Sequence, residues 1–385
     1  MLVEILFWGS LIGLAHIYFG YPFAVWLGAR LRPRPVTTDD WQPRVDIVVV
    51  AWNAAADIGA KLDNLHALDY PAARLRIHVA FDGCDDDSVE VVQRRNDSSL
   101  HMHVFPQRRG KSACLGDVIA QLDGEVVVFT DVRQRLEADS VLALLRPLAD
   151  PAVGAVSGEL MFERAGSGFA GGVDFYWRYE KFVRRNESLS GSVIGVTGAL
   201  YAARRELLPT VPGGLILDDL WIPLAIAGGG ARILFAEDAL AWDRPSTDPA
   251  REARRKRRTL AGNYQLIARD PSLLLPWRHP LGWRLWGHKW LRLLAPWMLA
   301  TAIVTNAMLL DRGGIYPWLF SAQLGAWALA LVGALAPVSL RLFPVRIAST
   351  FARMNWYAVL GLIDFIRDRE AHLWASNRAA DEVAS

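Results

Sequence analysis

Aspartates that interrupt apolar stretches are the residues of this sequence best suited to chemistry. Asp131 ends an apolar strand pattern, and Asp218 and Asp219 stand together inside the apolar run from Leu215 to Trp221. A buried carboxylate without a partner destabilises a fold. At a strand end it is a usual ligand for a hard cation, and in a partly apolar cleft it gains the raised pKa of a general base. Asp131 is therefore a candidate metal ligand, and the Asp218-Asp219 pair supplies a candidate base.

The same aspartates also have purely structural interpretations. Asp131 or the Asp218-Asp219 pair could cap the N-terminus of a helix. Asp82 opens the run Asp-Gly-Cys-Asp-Asp-Asp. There it could bind a uracil or ribose, or it could be only a turn or capping residue. The sequence leaves these alternatives open for each aspartate considered alone.

Polar residues follow the first two predicted strands. Trp52-Asn53 comes after the first strand and Asp82-Gly83 after the second. Because ligands of open α/β sheets bind at the carboxyl ends of strands, a nucleotide is expected beside these residues.

Basic residues occupy two further positions. Arg109-Gly110-Lys111 precedes a predicted helix, where N–H groups and the lysine could stabilise a phosphate, although a solvated turn would look the same. The run from Arg251 to Arg258 contains six basic residues and could hold a pyrophosphate, face anionic lipid, or both.

The elements that position these residues follow an α/β pattern over residues 40–275. Short apolar runs alternate with helical patterns, which predicts a mostly parallel sheet with flanking helices. The predicted strands are Val45–Val50, Leu75–Phe81, Met102–Phe105, Glu125–Phe129 and Leu200–Ala203, and the predicted helices are Ala55–Ala67, Asp86–Arg95 and Lys111–Leu122.

The composition indicates a membrane protein and argues against a nucleic-acid partner. Of the 385 residues, 52% are hydrophobic and 16 are tryptophan, which points away from a purely soluble protein. The net charge is only +2, without one long basic face, so no nucleic-acid partner is expected. Cys84 and Cys114 form no Cys-x-x-Cys motif, which fits a reducing cytosol.

Apolar segments predict where the chain meets this membrane. Residues 1–29 read as a retained anchor, 276–289 as an interfacial amphipathic segment, 290–340 as a transmembrane hairpin, 347–366 as a transmembrane or interfacial helix, and 367–385 as a polar tail. Positive charges beside the predicted spans place residues 40–275 in the cytoplasm, at a bacterial-type inner membrane.

In this order and spacing, the motifs resemble those of the membrane-bound branch of glycosyltransferase family 2. That branch includes the synthases of cellulose, chitin, hyaluronan and poly-N-acetylglucosamine. The resemblance covers nearly the whole chain and implies a GT-A-like fold. The matching motifs are Trp52-Asn53, Asp82-Gly83, Gly110-Lys111, Thr130-Asp131, Thr197-Gly198-Ala199, Asp218-Asp219 and the basic helix before Gly262.

The resemblance also implies roles for individual residues. Asp131 would be the first acid of the Asp-x-Asp motif and would hold Mg²⁺ or Mn²⁺, while Asp219 would be the catalytic base with Asp218 beside it. The acceptor would meet Thr197, Gly198 and Ala199. The nucleotide would be bound by Trp52, Asn53, Asp82, Lys111 and Arg258.

Two departures from the family pattern bear on the function. Arg133 stands where Asp-x-Asp has its second acid, so the cation could rest on Asp131 and diphosphate oxygens, or Arg133 could itself offset diphosphate charge. The processive motif Gln-x-x-Arg-Trp appears as Arg255-Lys-Arg-Arg258-Thr259, without the tryptophan. The missing ring puts processive polymer synthesis in doubt.

Taken together, the sequence predicts an inverting transfer of a sugar from a UDP-sugar to a glycan or lipid-linked acceptor at the inner membrane. The expected setting is exopolysaccharide or cell-envelope glycan synthesis, with membrane lipids and polysaccharide-export subunits as partners. A single-addition lipid glycosyltransferase and a non-catalytic transferase-like subunit stay as alternatives.

Overall fold

One mixed sheet organises the middle of the chain. The computed structural model describes residues 1–163, 170–244, 248–367 and 373. Within them, the strands are β1 (Val45–Ala51), β2 (Leu75–Asp82), β3 (Leu100–Phe105), β4 (Val126–Asp131), β5 (Arg135–Leu136), β6 (Val153–Phe162), β7 (Leu200–Arg204) and β8 (Arg232–Asp243). Across the sheet they follow the order β3-β2-β1-β4-β7-β6-β8-β5.

The first half of the sheet is parallel. β1 pairs with β2 on one side and β4 on the other, and β3 pairs with β2. Every residue of β1 is buried, because helices cover both faces of this part of the sheet, and its sequence is correspondingly apolar. The predicted strands are present with ends that differ by one or two residues. Their carboxyl ends bring Ala51, Asp82 and Asp131 to one edge.

The second half contains the antiparallel pairs. β7 runs antiparallel to β4 and β6, and β5 runs antiparallel to β8. β8 returns parallel to β6, so the sheet is still mostly parallel, as predicted.

Thirteen α-helices flank the sheet or extend from it within the described residues. They are α1 (Leu2–Ala15), α2 (Tyr21–Leu31), α3 (Ala55–His66), α4 (Ser88–Gln93), α5 (Lys111–Ile119), α6 (Ser140–Leu148), α7 (Ala170–Leu189), α8 (Asp218–Gly228), α9 (Pro249–Arg269), α10 (Gly282–Leu285), α11 (Leu291–Met308), α12 (Tyr316–Leu335) and α13 (Phe343–Arg367). α4 is shorter than predicted because the Asp86 side chain accepts the N–H groups of Ala55 and Ser88 and so shapes a turn before the helix.

Three helices in the described part of the chain are long and apolar enough to cross a membrane. They are Leu2–Leu31, Gly282–Met308 and Tyr316–Leu335. The first joins α1 to α2 and the second joins α10 to α11, each through one π-helical turn. The helix Gly282–Met308 begins inside the predicted interfacial segment 276–289, and the interfacial position of that segment stays a prediction. The hairpin's second helix ends at Leu335, before the predicted boundary at residue 340.

α13 covers the fourth apolar segment, predicted over residues 347–366. It is not among the helices apolar enough to span, and it packs along α9 and α12. Arg257 of α9 donates from Nε to Asp364 at 2.8 Å. Gly361 lies so close to α9 that a methyl group there would come within 2.7 Å of Leu260. Most of the predicted tail, residues 367–385, lies outside the described residues.

Candidate active site

Lys111 lies between the aspartates that the sequence analysis selected. β4 ends at Asp131, α5 begins at Lys111, and α8 begins at Asp218. The Lys111 Nζ donates to Asp131 Oδ1 at 2.7 Å and lies 3.6 Å from Asp218 Oδ2. A methyl group on Gly198 would lie 3.5 Å from Asp219 Oδ2 and 3.7 Å from the Lys111 Nζ. The fold therefore brings the predicted metal ligand, base and acceptor loop to one place.

The charges in this cluster set its protonation. Burial and the adjacent Asp218 raise the pKa of Asp219 to about 6, although Lys111 and Lys289 oppose the shift. Burial disfavours the charged form of Lys111, but Asp131 and Asp218 outweigh it and raise its pKa above the usual value. Burial also acts against the charge of Asp131, yet Lys111 lowers the pKa of that carboxyl. Asp219 is thus the carboxylate tuned towards accepting a proton near neutral pH.

The loop that carries the aspartate pair is held from two sides. The N–H of Leu215 donates to the Ser112 hydroxyl of α5 at 3.0 Å. Gln265 of α9 accepts from the N–H of Ile216 at 3.0 Å and donates to the Gly214 carbonyl at 2.8 Å. These contacts place both aspartates in the first turn of α8, where the helix dipole favours negative charge.

The capping interpretation fails for Asp131. The next α-helix, α6, has Asp139 at its N-cap, so Asp131 is not a cap residue. For the pair it is partly right, since both acids lie in the first turn of α8 but Leu217 is the N-cap.

The predicted acceptor loop is tied to both aspartate sites. The Thr130 hydroxyl donates to the Ala199 carbonyl at 2.8 Å, and the N–H of Val196 donates to the Asp219 carbonyl at 3.0 Å. Thr197 donates from its backbone N–H to the Ser157 hydroxyl at 3.0 Å. Thr197, Gly198 and Ala199 all line the same cavity as Asp219.

Lys61 is a residue of this site that the sequence analysis missed. It is buried under the end of β4, where its Nζ donates to the Thr130 hydroxyl at 2.9 Å and the Gln134 carbonyl at 2.7 Å. Burial lowers its pKa to about 7. A lysine on the polar-looking face of a predicted helix gives no sequence signal for such a contact.

The predicted nucleotide residues Trp52 and Asn53 lie on the cavity wall. The Arg108 guanidinium stacks 3.4 Å from the centre of the Trp52 ring. Asn53 adopts a left-handed backbone with φ of 47° and exchanges hydrogen bonds with Asp85. The turn after β1 is therefore fixed by the acidic run after β2.

Asp82 acts as a turn residue, which is one of the two roles that the sequence left open. It is fully buried and accepts the N–H groups of Arg109 and Gly110 at 2.7 and 2.9 Å. Asp82 thereby occupies two N–H groups of this basic turn, and a phosphate contact through Lys111 stays a prediction. The carboxylate fixes the turn that delivers Lys111 to the cluster. A contact of Asp82 with the nucleoside stays a prediction.

Arg133 is also engaged. It donates to Asp243, a buried acid at the end of β8, which also accepts from the Gln134 side chain at 3.1 Å. The Arg133 charge is thus neutralised within the protein, which weakens the alternative in which it offsets a diphosphate. Asp243 follows Arg133 by 110 residues in the sequence, and the sequence analysis did not predict this pair.

Arg258 of α9 lies where the prediction requires it. It lines the cavity, and Asp218, Asp219 and Asp131 all act on its charge. Burial lowers its pKa, which these carboxylates partly oppose. Thr259, at the position of the motif's tryptophan, donates its hydroxyl to the Arg255 carbonyl at 3.1 Å.

A buried polar network connects the membrane helices to α7. His288 Nδ1 lies 2.9 Å from Glu187 Oε1, and its Nε2 contacts Glu180. The Tyr21 hydroxyl donates to Glu187, and Arg292 donates to Glu180 at 2.9 Å. The sequence analysis did not find this network, because its members are distant along the chain and form no local motif.

One cavity of about 1650 Å³ contains both the aspartate cluster and part of the network. Its wall continues onto apolar side chains of the first membrane helix and of α13. These side chains are Leu14, Tyr18, Phe19, Phe343, Ile347, Phe351 and Met354.

Comparison with known proteins identifies the family. Residues 43–262 match the family described as "Glycosyltransferase like family 2". The chain belongs to glycosyltransferase family 2. It is therefore a glycosyltransferase, and the resemblance of its motifs to glycosyltransferase family 2 is confirmed.

Individual relatives of this glycosyltransferase support the fold. A mannosyltransferase from Pyrobaculum calidifontis, solved with GDP-Man and Mn²⁺, is 25% identical with a TM-score of 0.69 and covers 95% of this chain and 99% of that one. This confirms the GT-A-like architecture. An N-acetylglucosaminyltransferase of Rhizobium meliloti (strain 1021) is 28% identical over 48% of this chain and 44% of its own length.

A second kind of relative is named for a glycolipid product. The beta-monoglucosyldiacylglycerol synthase of Synechocystis sp. is 23% identical over 69% of this chain and 57% of its own length. This chain thus spans less than two thirds of either curated relative.

Proposed function

We propose that this glycosyltransferase transfers one sugar, with inversion, from a nucleotide sugar to a hydroxyl of a membrane-lipid acceptor. The observation that carries the proposal is the single cavity that holds Asp219 and opens onto Tyr18, Phe19 and Phe351 of the membrane-facing helices. An acceptor that enters from the bilayer reaches the base without crossing water. A glycan acceptor would need no such apolar wall.

The reaction follows from the positions of the charged groups. Asp219 removes the proton of the acceptor hydroxyl, whose oxygen attacks the anomeric carbon from the side opposite the diphosphate. The bond from that carbon to the diphosphate oxygen breaks, the anomeric configuration inverts, and the nucleoside diphosphate leaves. Lys111 and Arg258, which line the cavity, stabilise the negative charge of the leaving group.

A divalent cation fits the donor side of this site. Within the described residues no three His, Cys, Asp or Glu side chains cluster as a closed metal cage. Mg²⁺ and Mn²⁺ at diphosphates commonly take one or two carboxylates and complete their shell with phosphate oxygens and water. Asp131 would hold the ion in this way, and the ion supplies Lewis-acid charge stabilisation when bound. The Mn²⁺ of the Pyrobaculum mannosyltransferase complex supports this assignment.

The donor is proposed to be a UDP-sugar, with GDP-mannose as the alternative that the Pyrobaculum complex suggests. Single addition is favoured over processive synthesis, because Thr259 has no aromatic ring on which a sugar could stack and its hydroxyl donates to the Arg255 carbonyl of the same helix. The glycolipid synthase from Synechocystis supports a lipid acceptor.

We place the catalytic domain on the cytoplasmic side of a bacterial inner membrane. The three apolar helices support membrane attachment, and the arginines at Arg30 to Arg34 favour the cytoplasm for the adjoining domain. α13, which packs on α9, is proposed to lie in the interface. Association with polysaccharide-export subunits stays a prediction.

The test is Asp219→Asn in the purified full chain. Sugar transfer should fall by about a hundredfold or more, while the affinity for UDP changes little, because only the base is removed. The matched control is Asp238→Asn, which changes an exposed aspartate of β8 outside the cavity. Release of nucleoside diphosphate from UDP- and GDP-sugars, with diacylglycerol micelles as acceptor, is the measurement. Unchanged turnover in Asp219→Asn would contradict the assignment of the base.

A further inference from the structure

Lys289 occupies an unusual position in the cavity wall. It lies in the π-helical turn Trp286–Trp290, near the start of the helix Gly282–Met308, and lines the cavity that contains Asp219. Its charge acts on Asp219 across this space. A cation that approaches the base from the membrane side is not required by the transfer chemistry described above.

Asp219 and Glu180 act on the charge of Lys289, and the two glutamates of the neighbouring network have other partners. Glu180 contacts His288 and accepts from Arg292 at 2.9 Å, and Glu187 contacts Tyr21 and His288. Lys289 itself makes no hydrogen bond and no ion pair within 4.0 Å with any residue that the structure describes. Its three donors therefore have no acceptor among the described residues, and the side chain lines the cavity.

An ammonium group in a partly buried wall is stable only when an acceptor or water satisfies it. Here an anion of the substrate can do so. We propose that Lys289 binds a phosphate ester of the acceptor, beside the hydroxyl that Asp219 deprotonates. This inference rests on the proposed function, because it names the chemistry of the lipid acceptor at that same site.

The surroundings of Lys289 define the rest of this acceptor. A second, apolar groove of about 680 Å³ shares Tyr18, Phe19 and Tyr179 with the main cavity and continues along Phe23 and Phe182. An acyl or other hydrocarbon chain fits that groove when the phosphate meets Lys289. The lysine lies in a stretch rich in tryptophan and basic residues, whose composition suits the level of lipid headgroups. The acceptor class is thus a hydroxyl-bearing phospholipid.

The experiment compares phosphate-bearing and neutral acceptors with the full chain in detergent micelles. Phosphatidylglycerol and diacylglycerol each offer a hydroxyl, but only the first carries a phosphate. Lys289→Gln should raise the KM for phosphatidylglycerol about tenfold or more, because a charge-assisted contact is lost, and should leave the KM for diacylglycerol within about twofold. Lys289→Arg should recover most of the loss. Arg178→Gln, an exposed cation of α7 outside the cavity wall, is the control.

A binding arm needs no turnover. In the Asp219→Asn background, phosphatidylglycerol in micelles and soluble glycerol phosphate are titrated against Asp219→Asn and against Asp219→Asn with Lys289→Gln. A loss of affinity for both ligands in the double variant assigns the site to the phosphate alone, and a loss for the lipid only assigns it to a phosphate presented at the membrane. Either result supports the proposal.

Equal effects of Lys289→Gln on the KM values for the two lipids, or no effect on either KM, would overturn it. A failure of the proposed function would look different, since the wild-type chain would then transfer sugar to neither lipid, while the binding arm would still report on Lys289.

Discussion

The nucleotide side and the membrane side of the active site hold their charged groups in different ways. On the nucleotide side, Asp82 accepts backbone N–H groups at 2.7 and 2.9 Å, and a short turn then delivers Lys111. On the membrane side, side chains alone connect His288 to glutamates of α7, and Tyr21 joins from the first membrane helix.

The nucleotide side is fixed by the backbone of the sheet and its turns, whereas the membrane side depends on the docking of helices. Backbone donors are fixed once the sheet and its turns have formed, so the nucleotide side needs no membrane helix to be complete. The membrane-side network exists only when the helices from both ends of the chain dock onto α7. We infer that donor binding survives disruption of the membrane helices, whereas acceptor binding does not.

Asp219, the proposed catalytic base, lies between the two sides and gives the largest expected effect. Because the pKa of Asp219 is raised to about 6, kcat should fall about tenfold per pH unit below that value and level off above it.

The contribution of Asp219 to stability should change with pH in the opposite direction to kcat. A carboxyl whose pKa is higher in the folded state favours folding in its protonated form, and this contribution is lost as pH rises from the ordinary 3.8 to about 6. As pH rises over that range, kcat should therefore rise while the contribution of Asp219 to the melting temperature falls. Asp219→Asn is the reference, because it should remove both pH trends.

Gly83→Ala tests the rigid turn of the nucleotide side. Gly83 has a φ of +62°, and a methyl group there would come within 2.4 Å of the Arg108 backbone nitrogen. We expect a loss of roughly 2 kcal/mol or more in the free energy of unfolding, together with weaker donor binding. The matched control is Gly214→Ala, where φ is +76° but no atom lies within 4 Å of the added methyl. Denaturant titration that gives equal losses for both glycines would show that the turn has no steric requirement.

Glu187→Gln tests the membrane side. The carboxylate loses its charged contacts with Tyr21 and His288, so we expect a loss of roughly 1–3 kcal/mol in stability. UDP affinity should stay within about twofold, while the KM for a lipid acceptor rises. Equilibrium UDP binding and acceptor kinetics on one preparation measure both quantities. Parallel losses of UDP and acceptor affinity would show that the two sides are not separable.

The sequence was sufficient for the parts of the molecule in which neighbouring residues act together. The run around Val45–Ala51 is buried on both faces and could only be a central strand, and the Asp218-Asp219 pair in an apolar run required a chemical explanation. The three apolar spans were equally visible, although their helices start and end at residues that packing decides.

Contacts between distant segments could not be predicted. Nothing local in the sequence shows that Asp82 accepts the backbone N–H of Arg109. The same is true of the contact of Arg133 with Asp243 and of Lys61 with Thr130. Such pairs depend on strand order and register, which a single sequence does not determine.

α9 has a mechanical consequence. Its Gln265 holds the loop that leads to the aspartate pair, and its Arg257 and Leu260 contact α13. A lateral displacement of α13 would therefore be transmitted through α9 to the loop that carries Asp219, the proposed base. We expect the enzyme's turnover to respond to the lateral pressure of its bilayer. Acyl-chain composition would then change the distance between the proposed base and the acceptor.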